Sequence, residues 1–118
     1  MMIQMKRVYE EPSREDGRRV LVDRVWPRGV SKEKAQLDEW MKEIAPSPDL
    51  RKWFGHQTER FESFKEKYEK ELEESAERQE AAARLQDWSE EGTVTLIYAA
   101  KDEVHNHVVI LKDFLNDK

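Results

Sequence analysis

Val20-Leu21-Val22-Asp23-Arg24-Val25-Trp26 and Val94-Thr95-Leu96-Ile97-Tyr98-Ala99-Ala100 decide the fold. Both are almost continuously apolar, the pattern of strands covered on two faces rather than one, and so they belong at the centre of a sheet. A third run, Ile3, Met5 and Tyr9 with Gln4, Lys6 and Val8 between them, suits a strand nearer the edge. Residues 27–93, between the two central runs, read mostly as helix, a connection too long for a hairpin and natural for a crossover. The expectation is one compact α/β domain over residues 1–118. It has a small, mostly parallel open sheet of three or more strands, a helical insertion between the last two strands and a C-terminal helix.

Within the insertion, Ser31 is placed to cap a helix carrying Leu37, Trp40, Met41 and Ile44 on one face and stopping near Pro46. Ser47-Pro48-Asp49 has the form of a second start, with proline at the first helical position, and the short helix through Trp53 and Phe54 ends at Gly55. Thr58 is the expected cap of a longer helix, in which Phe61, Phe64, Tyr68 and Leu72 form a core stripe. Ala81, Leu85 and Trp88 mark the next helix, which ends at Gly92. After the last strand, Val104, Val108, Leu111 and Leu115 define a C-terminal helix starting between Asp102 and Asn106. Glu11 to Gly17 reads as a polar turn between the first two strands.

Composition removes several classes of function. The 118 residues contain no cysteine, which excludes a thiol nucleophile, a disulfide frame and cysteine-ligated metals. The first residues lack a signal peptide's apolar stretch, and no segment approaches the ~20 apolar residues that span a bilayer. A cytoplasmic location without membrane attachment is expected. The net charge of −5 argues against a general nucleic-acid binder, but it is unevenly spread. Residues 1–34 hold nine Lys/Arg against six Asp/Glu, whereas residues 59–91 hold six against twelve. Those acidic residues read as solvated helix faces. The acidity of the whole chain is thus compatible with an anionic ligand near its N-terminal third.

In an open parallel sheet, ligands bind beyond the carboxyl ends of the strands. At the end of the Val20–Trp26 run this rule selects Asp23, Arg24, Arg28 and Gly29; at the end of the Val94–Ala100 run it selects Asp102, His105 and Asn106, beside Lys101. Asp23 and Arg24 admit two readings, a buried ion pair or part of a site, since a charge inside an apolar run needs a partner. Arg28 beside Gly29 either belongs to a turn or grips phosphate or carboxylate with its guanidinium. Asp102 either caps the last helix or works with His105 as an acid–base group. A helix N-terminus lowers the pKa of a histidine there, which is expected for His105, while His107 is expected on the surface. Arg51, Trp53, His56 and Arg60 form a candidate rim of cations and an aromatic, or alternatively ion pairs around one core tryptophan. His105-Asn106-His107 does not make a metal site, because residues two apart do not share a helix face; no metal or cofactor is expected.

Lys6-Arg7-Val8-Tyr9, Arg19 through Gly29, Ala45-Pro46-Ser47, Leu50 through His56, Thr95 through Asp102 and His105-Asn106 together resemble the YeaO-like family, the short form of domain of unknown function 488. The resemblance spans nearly the whole chain. It implies an α/β fold and a small bacterial or archaeal cytoplasmic protein, and carries no established activity with it. Longer relatives have a Cys-His-Arg-type motif near His105-Asn106, and this chain lacks the cysteine. A DNA-binding regulator is not expected, for there is no winged helix-turn-helix pattern and the long helices are acidic.

Two functions fit these features. One is binding of a small phosphate- or nucleotide-containing anion by Arg24 and Arg28, with hydrolase or transferase chemistry at Asp23, Asp102 or His105. The other is a non-catalytic ligand-sensing or protein-interaction accessory domain, in which the same arginines and Asn106 read the anion and the acidic helices face a protein partner. A homo-oligomer is neither required nor excluded.

Overall fold

The computed structural model describes residues 2–117. Four parallel strands, β1 (Ile3–Arg7), β2 (Arg18–Leu21), β3 (Glu39–Trp40) and β4 (Val94–Tyr98), form one sheet in the order β1-β4-β2-β3. The last strand is inserted between the first two, so Leu96 is flanked by Met5 on one side and Val20 on the other. Every residue of β4 is buried, which explains an apolar run without alternation. β1 takes the edge, as its partial alternation implies.

Among the described residues there are five α-helices: α1 (Lys32–Ala35) between β2 and β3, α2 (Pro48–Phe54), α3 (Phe61–Glu74) and α4 (Ala76–Glu91) between β3 and β4, and α5 (His107–Asn116) after β4. One face of the sheet, with Val20, Val22, Leu96 and Tyr98, packs against Phe64, Tyr68, Leu72, Leu85 and Leu111 of α3, α4 and α5. Because strand side chains alternate, Leu21 and Ile97 point to the opposite face, where Ala35, Trp26, Val30 and Leu37 cover them. The aromatic stripe is core, with Phe54 stacked on Phe64 at 4.2 Å and Tyr68 donating its hydroxyl proton to the Ile44 carbonyl at 2.7 Å.

Local signals place most boundaries. Ser47 caps α2 by accepting the Leu50 N–H, Pro48 occupies the first turn, and Gly55 ends the helix in the left-handed region at φ 51°. Ser75, between α3 and α4, caps the latter. Thr58 is not a cap: residues Thr58–Arg60 form a 3-10 turn, and α3 starts at Phe61 without a side-chain cap.

The helix expected from Ser31 to Pro46 is largely absent. Ser31 does cap α1, but α1 ends after one turn at Gln36, a non-glycine residue with φ 47°. The chain then runs beside β2 as the two-residue strand β3. Asp38 N–H donates to Arg19 O, Arg19 N–H to Asp38 Oδ2, and Met41 N–H to Leu21 O, each at 2.8 Å. These sheet bonds win over a helical spacing of Leu37, Trp40, Met41 and Ile44 that was coincidental, since Leu37 serves the smaller core and Met41 and Ile44 the larger.

Two further boundaries move. β2 stops at Leu21, so Val22 to Trp26 is loop rather than strand. α5 begins at His107 with Asn106 as N-cap, leaving Val104 outside the helix and exposed. The polar turn of residues 11–17 also contains a buried group. The Asp16 carboxylate accepts from the Ser13 N–H at 3.0 Å, from Lys6 Nζ at 3.0 Å and from the buried Arg19 guanidinium. Arg19 further donates to the Ala35 and Gln36 carbonyls. Burial pulls the pKa of Asp16 upward, but the Ser13, Lys6 and Arg19 hydrogen bonds outweigh it and hold the pKa below the usual carboxylate value.

Candidate functional site

At the carboxyl end of the sheet lies a cleft of about 760 Å³, a volume in the range of small-molecule sites. The strand ends build its floor. The last N–H exposed on the β2 side of β4, that of Ala99, is taken not by backbone but by Asp23 Oδ2 at 2.9 Å. From the other flank, Arg7 at the end of β1 donates to the Ala100 carbonyl at 2.9 Å and the Ala99 carbonyl at 3.3 Å. Residues 99 and 100, where β4 opens into the loop before α5, are thus held on both sides by charged side chains.

The cleft wall that contains Ala45, Pro46 and Pro48 is fixed through its neighbours. Glu71 accepts from the Ser47 N–H at 2.9 Å and the Ser47 hydroxyl at 2.6 Å, and Arg78 donates to the Ala45 carbonyl through two nitrogens at 2.9 and 3.0 Å. Arg24 leans on this wall, with its guanidinium 3.4 Å from the Ala45 and Pro46 carbonyls. The opposite wall contains Trp26, whose indole N–H donates to Val30 O at 2.7 Å and whose ring meets Trp40 edge-on at 5.4 Å. Tyr9 reaches across to the Arg28 carbonyl at 3.2 Å.

Asp23 and Arg24 are not partners of each other. Asp23 faces His107, with Oδ1 3.7 Å from Nε2, and Nε2 lies 3.0 Å from the Val22 carbonyl. That carbonyl can only accept, so Nε2 carries the proton and donates it there. The His107 side chain is 16% exposed and lines the cleft, contrary to the expectation of a surface residue. Its position follows from α5 starting at His107, which turns the ring inward against Tyr68, 5.9 Å away edge-on. Burial raises the pKa of Asp23, opposed by His107, the Ala99 N–H and Arg51; burial lowers that of His107, opposed by Asp23 and the Val22 carbonyl. The histidine below its ordinary pKa is therefore His107, through desolvation.

Of the residues selected from sequence, Asp23, Arg24, Arg28, Arg51, His56 and Asn106 line the cleft together. Asn106 is buried, and its cap occupies it fully: Oδ1 accepts the Val108 and Val109 N–H groups and Nδ2 donates to the Asp102 carbonyl. His56 stands at φ 58°, a left-handed conformation that costs a non-glycine residue about 1–2 kcal/mol. Gly29 also has a left-handed φ, 70°, which suits the turn after Arg28, but it does not line the cleft.

Asp102, His105, Trp53 and Arg60 lie outside it. Asp102 caps its own loop, accepting the Val104 and His105 N–H groups at 2.9 Å and facing His105 Nδ1 at 3.0 Å. The two backbone donors are the main reason its pKa falls to about 2. His105 packs edge-on against Phe61 at 5.3 Å. Trp53 lies between Arg60 and Lys67, whose cationic groups are 5.4 and 5.2 Å from its ring.

Sequence reasoning missed Arg7, Lys52 and His107. Arg7 follows from the same strand-end rule once it is applied to β1, and Lys52 is one residue from the selected Arg51. His107 gave no signal, because its direction depends on where α5 begins.

Four cations, Arg24, Arg28, Arg51 and Lys52, thus border the cleft against two carboxylates, Asp23 and Asp49. Among the described residues, the side chains of Arg28, Arg51 and Lys52 have no hydrogen bond or ion pair to a protein partner.

Fold and site define a small α/β protein with a parallel sheet and a cation-rimmed cleft at the strand ends. The chain belongs to the DUF488 family, its residues 2–118 matching the model of the inactive DUF488-N3 subclade. It is 44% identical over 115 residues to the uncharacterized protein YeaO of Escherichia coli, covering 98% of this chain and 97% of that protein. It is 39% identical over 116 residues to the uncharacterized protein Rv3073c of Mycobacterium tuberculosis, covering 98% and 95%. No solved structure gives a significant match.

Proposed function

We propose that this protein is a non-catalytic binder of a small organic anion, held in the cleft at the carboxyl ends of the strands. The observation that carries the reading is a concave basic rim on an acidic chain. Among the described residues, Arg28, Arg51 and Lys52 border the opening with no hydrogen bond or ion pair from their side chains, Arg51 acting on Asp23 only at longer range, whereas Lys6 and Arg19 are tied to Asp16. Guanidinium groups left free around a cleft match phosphate or carboxylate oxygens, and the cleft concentrates their field. The description of the subclade as inactive favours binding over turnover.

The second reading is catalysis by Asp23 with His107, favoured by their mutual approach at 3.7 Å and by pKa shifts that move both toward neutrality. It needs a proton path that the geometry weakens, because the protonated Nε2 of His107 is directed at a backbone carbonyl.

A thermal-shift screen of phosphate, nucleotides and sugar phosphates, run on the parent and on Arg28→Ala and Arg51→Ala, tests the binding reading. A ligand at a hundred times its Kd adds about 2.7 kcal/mol to stability. Selective stabilisation of the parent that shrinks in both variants is expected. Absence of any anion-dependent shift in the parent would remove this reading.

A further inference from the structure

Asp23 is an odd residue to find in an anion site, since a carboxylate repels an anion. Its two oxygens differ. Oδ2 is occupied by the Ala99 N–H at 2.9 Å. Oδ1 is 3.7 Å from His107 Nε2, too far for a hydrogen bond, and that N–H already serves Val22 O. Among the described residues no fully buried side-chain oxygen or nitrogen lacks a partner, so Oδ1, which has none, must be reached from solvent. Asp23 lines the cleft, and the cleft is what reaches it. One acceptor oxygen on an otherwise 82% covered side chain therefore looks into the binding space (side-chain exposure 18%).

Trp26, Pro46, Ala99 and Ala100 give the cleft that contains Asp23 an apolar part of its lining, while the cationic side chains of Arg28, Arg51 and Lys52 are exposed, Arg51 acting on the Asp23 charge. A bare phosphate would satisfy the rim and leave both the apolar surface and the acceptor unused.

We infer that Asp23 is a specificity residue, and that the ligand is bifunctional: an anionic group at the Arg28–Arg51–Lys52 rim, joined through an apolar body to an N–H donor that bonds Asp23 Oδ1. This rests on the anion-binding reading and adds its second contact. Amino sugar phosphates and amine-bearing nucleoside monophosphates share this chemistry. His107 stands beside the carboxylate with its Nε2–H committed to the Val22 carbonyl, and so leaves the acceptor unused.

The test uses matched pairs that differ by one amine, glucosamine 6-phosphate against 2-deoxyglucose 6-phosphate and guanosine 5′-monophosphate against inosine 5′-monophosphate, with orthophosphate as the simple anion. Affinities are measured by calorimetry for the parent, Asp23→Asn and Arg28→Ala. A hydrogen bond to a charged group that the partner molecule cannot make corresponds to about tenfold or more in affinity. The amine-bearing member of one pair is expected to bind the parent at least about tenfold more tightly, and the pair that shows this identifies the ligand's source. In Asp23→Asn that preference is expected to vanish while orthophosphate binds as well or better, because a repelling charge has gone. Loss of both would mark a folding defect and contradict the specificity role, as would equal binding within both pairs or a preference that survives Asp23→Asn. Arg28→Ala separates the two levels: weaker binding of every probe there, together with no amine preference in the parent, leaves the anion site standing and overturns this inference. If no probe binds the parent, both fall.

Discussion

The two ends of the sheet carry similar side chains and use them in opposite ways. Before and at the start of β2, Asp16 pairs with the buried Arg19 and with Lys6, which reaches it from β1, and their remaining hydrogen bonds go to Glu11, Ser13, Ala35 and Gln36. At the carboxyl end, Arg28, Arg51 and Lys52 stand around a cleft with no hydrogen bond or ion pair among the described residues, Arg51 acting on Asp23 only at longer range, and Asp23 keeps one oxygen open. Charges that hold this fold together are paired in the interior; in the proposed function, those around the cleft are left for a ligand. Sequence alone does not separate the two cases, because each is a few Asp and Arg residues next to a strand.

The comparison breaks most visibly at the amino end. Asp16→Ala leaves Arg19 buried without its counter-charge, and a loss of about 3–5 kcal/mol is expected in denaturant unfolding. Gly17→Ala should cost about 2–3 kcal/mol. Gly17 has φ 63°, and a Cβ there would lie 2.2 Å from the Thr93 carbonyl oxygen, itself bonded to the Arg18 N–H.

Acid exposes the same contrast. Asp16 has a folded-state pKa below its ordinary value of 3.8, so its contribution is fully present above pH 3.8 and is lost as the pH falls through the lower folded value. The parent should therefore lose stability steeply below about pH 4, and Asp16→Asn, already weaker, should show a shallower loss over that window. Urea midpoints measured across the window check both slopes. The smallest effect belongs to the carboxyl end. Arg28→Ala and Lys52→Ala should each move stability by no more than about 0.5 kcal/mol, since neither side chain has a protein partner to lose. A loss near that of Asp16→Ala would mean these cations are structural after all.

How much of this was legible in the sequence depends on which force set each element. β4 was legible because burial on both faces writes an apolar run, whereas β2 was legible only in Val20 and Leu21, since it starts at Arg18 and the rest of its apolar run is loop. α2 was legible because Ser47, Pro48 and Gly55 are local signals with local causes. β3 was not: its two exposed residues, Glu39 and Trp40, carry no apolar pattern, and hydrogen bonds to β2 create it. The strand-end rule found Asp23, Arg24 and Arg28 without a motif, yet it also selected Asp102 and His105, which the loop turns away from the cleft. Which way such residues face is fixed by the start of α5, where Asn106 caps and His107 turns inward. Asp16 was read as a turn residue because its burial comes from Arg19 and from Thr95, whose hydroxyl donates to the Asp16 carbonyl, contacts distant from the turn's own pattern.

The difference between the ends is tested most directly by titrating phosphate into the isotopically labelled protein and following backbone amide shifts. The account predicts saturable changes concentrated at residues 24–29 and 51–52 around the cleft, and none of comparable size at residues 14–19. Linear changes without saturation, or changes as large at the paired amino end, would contradict it.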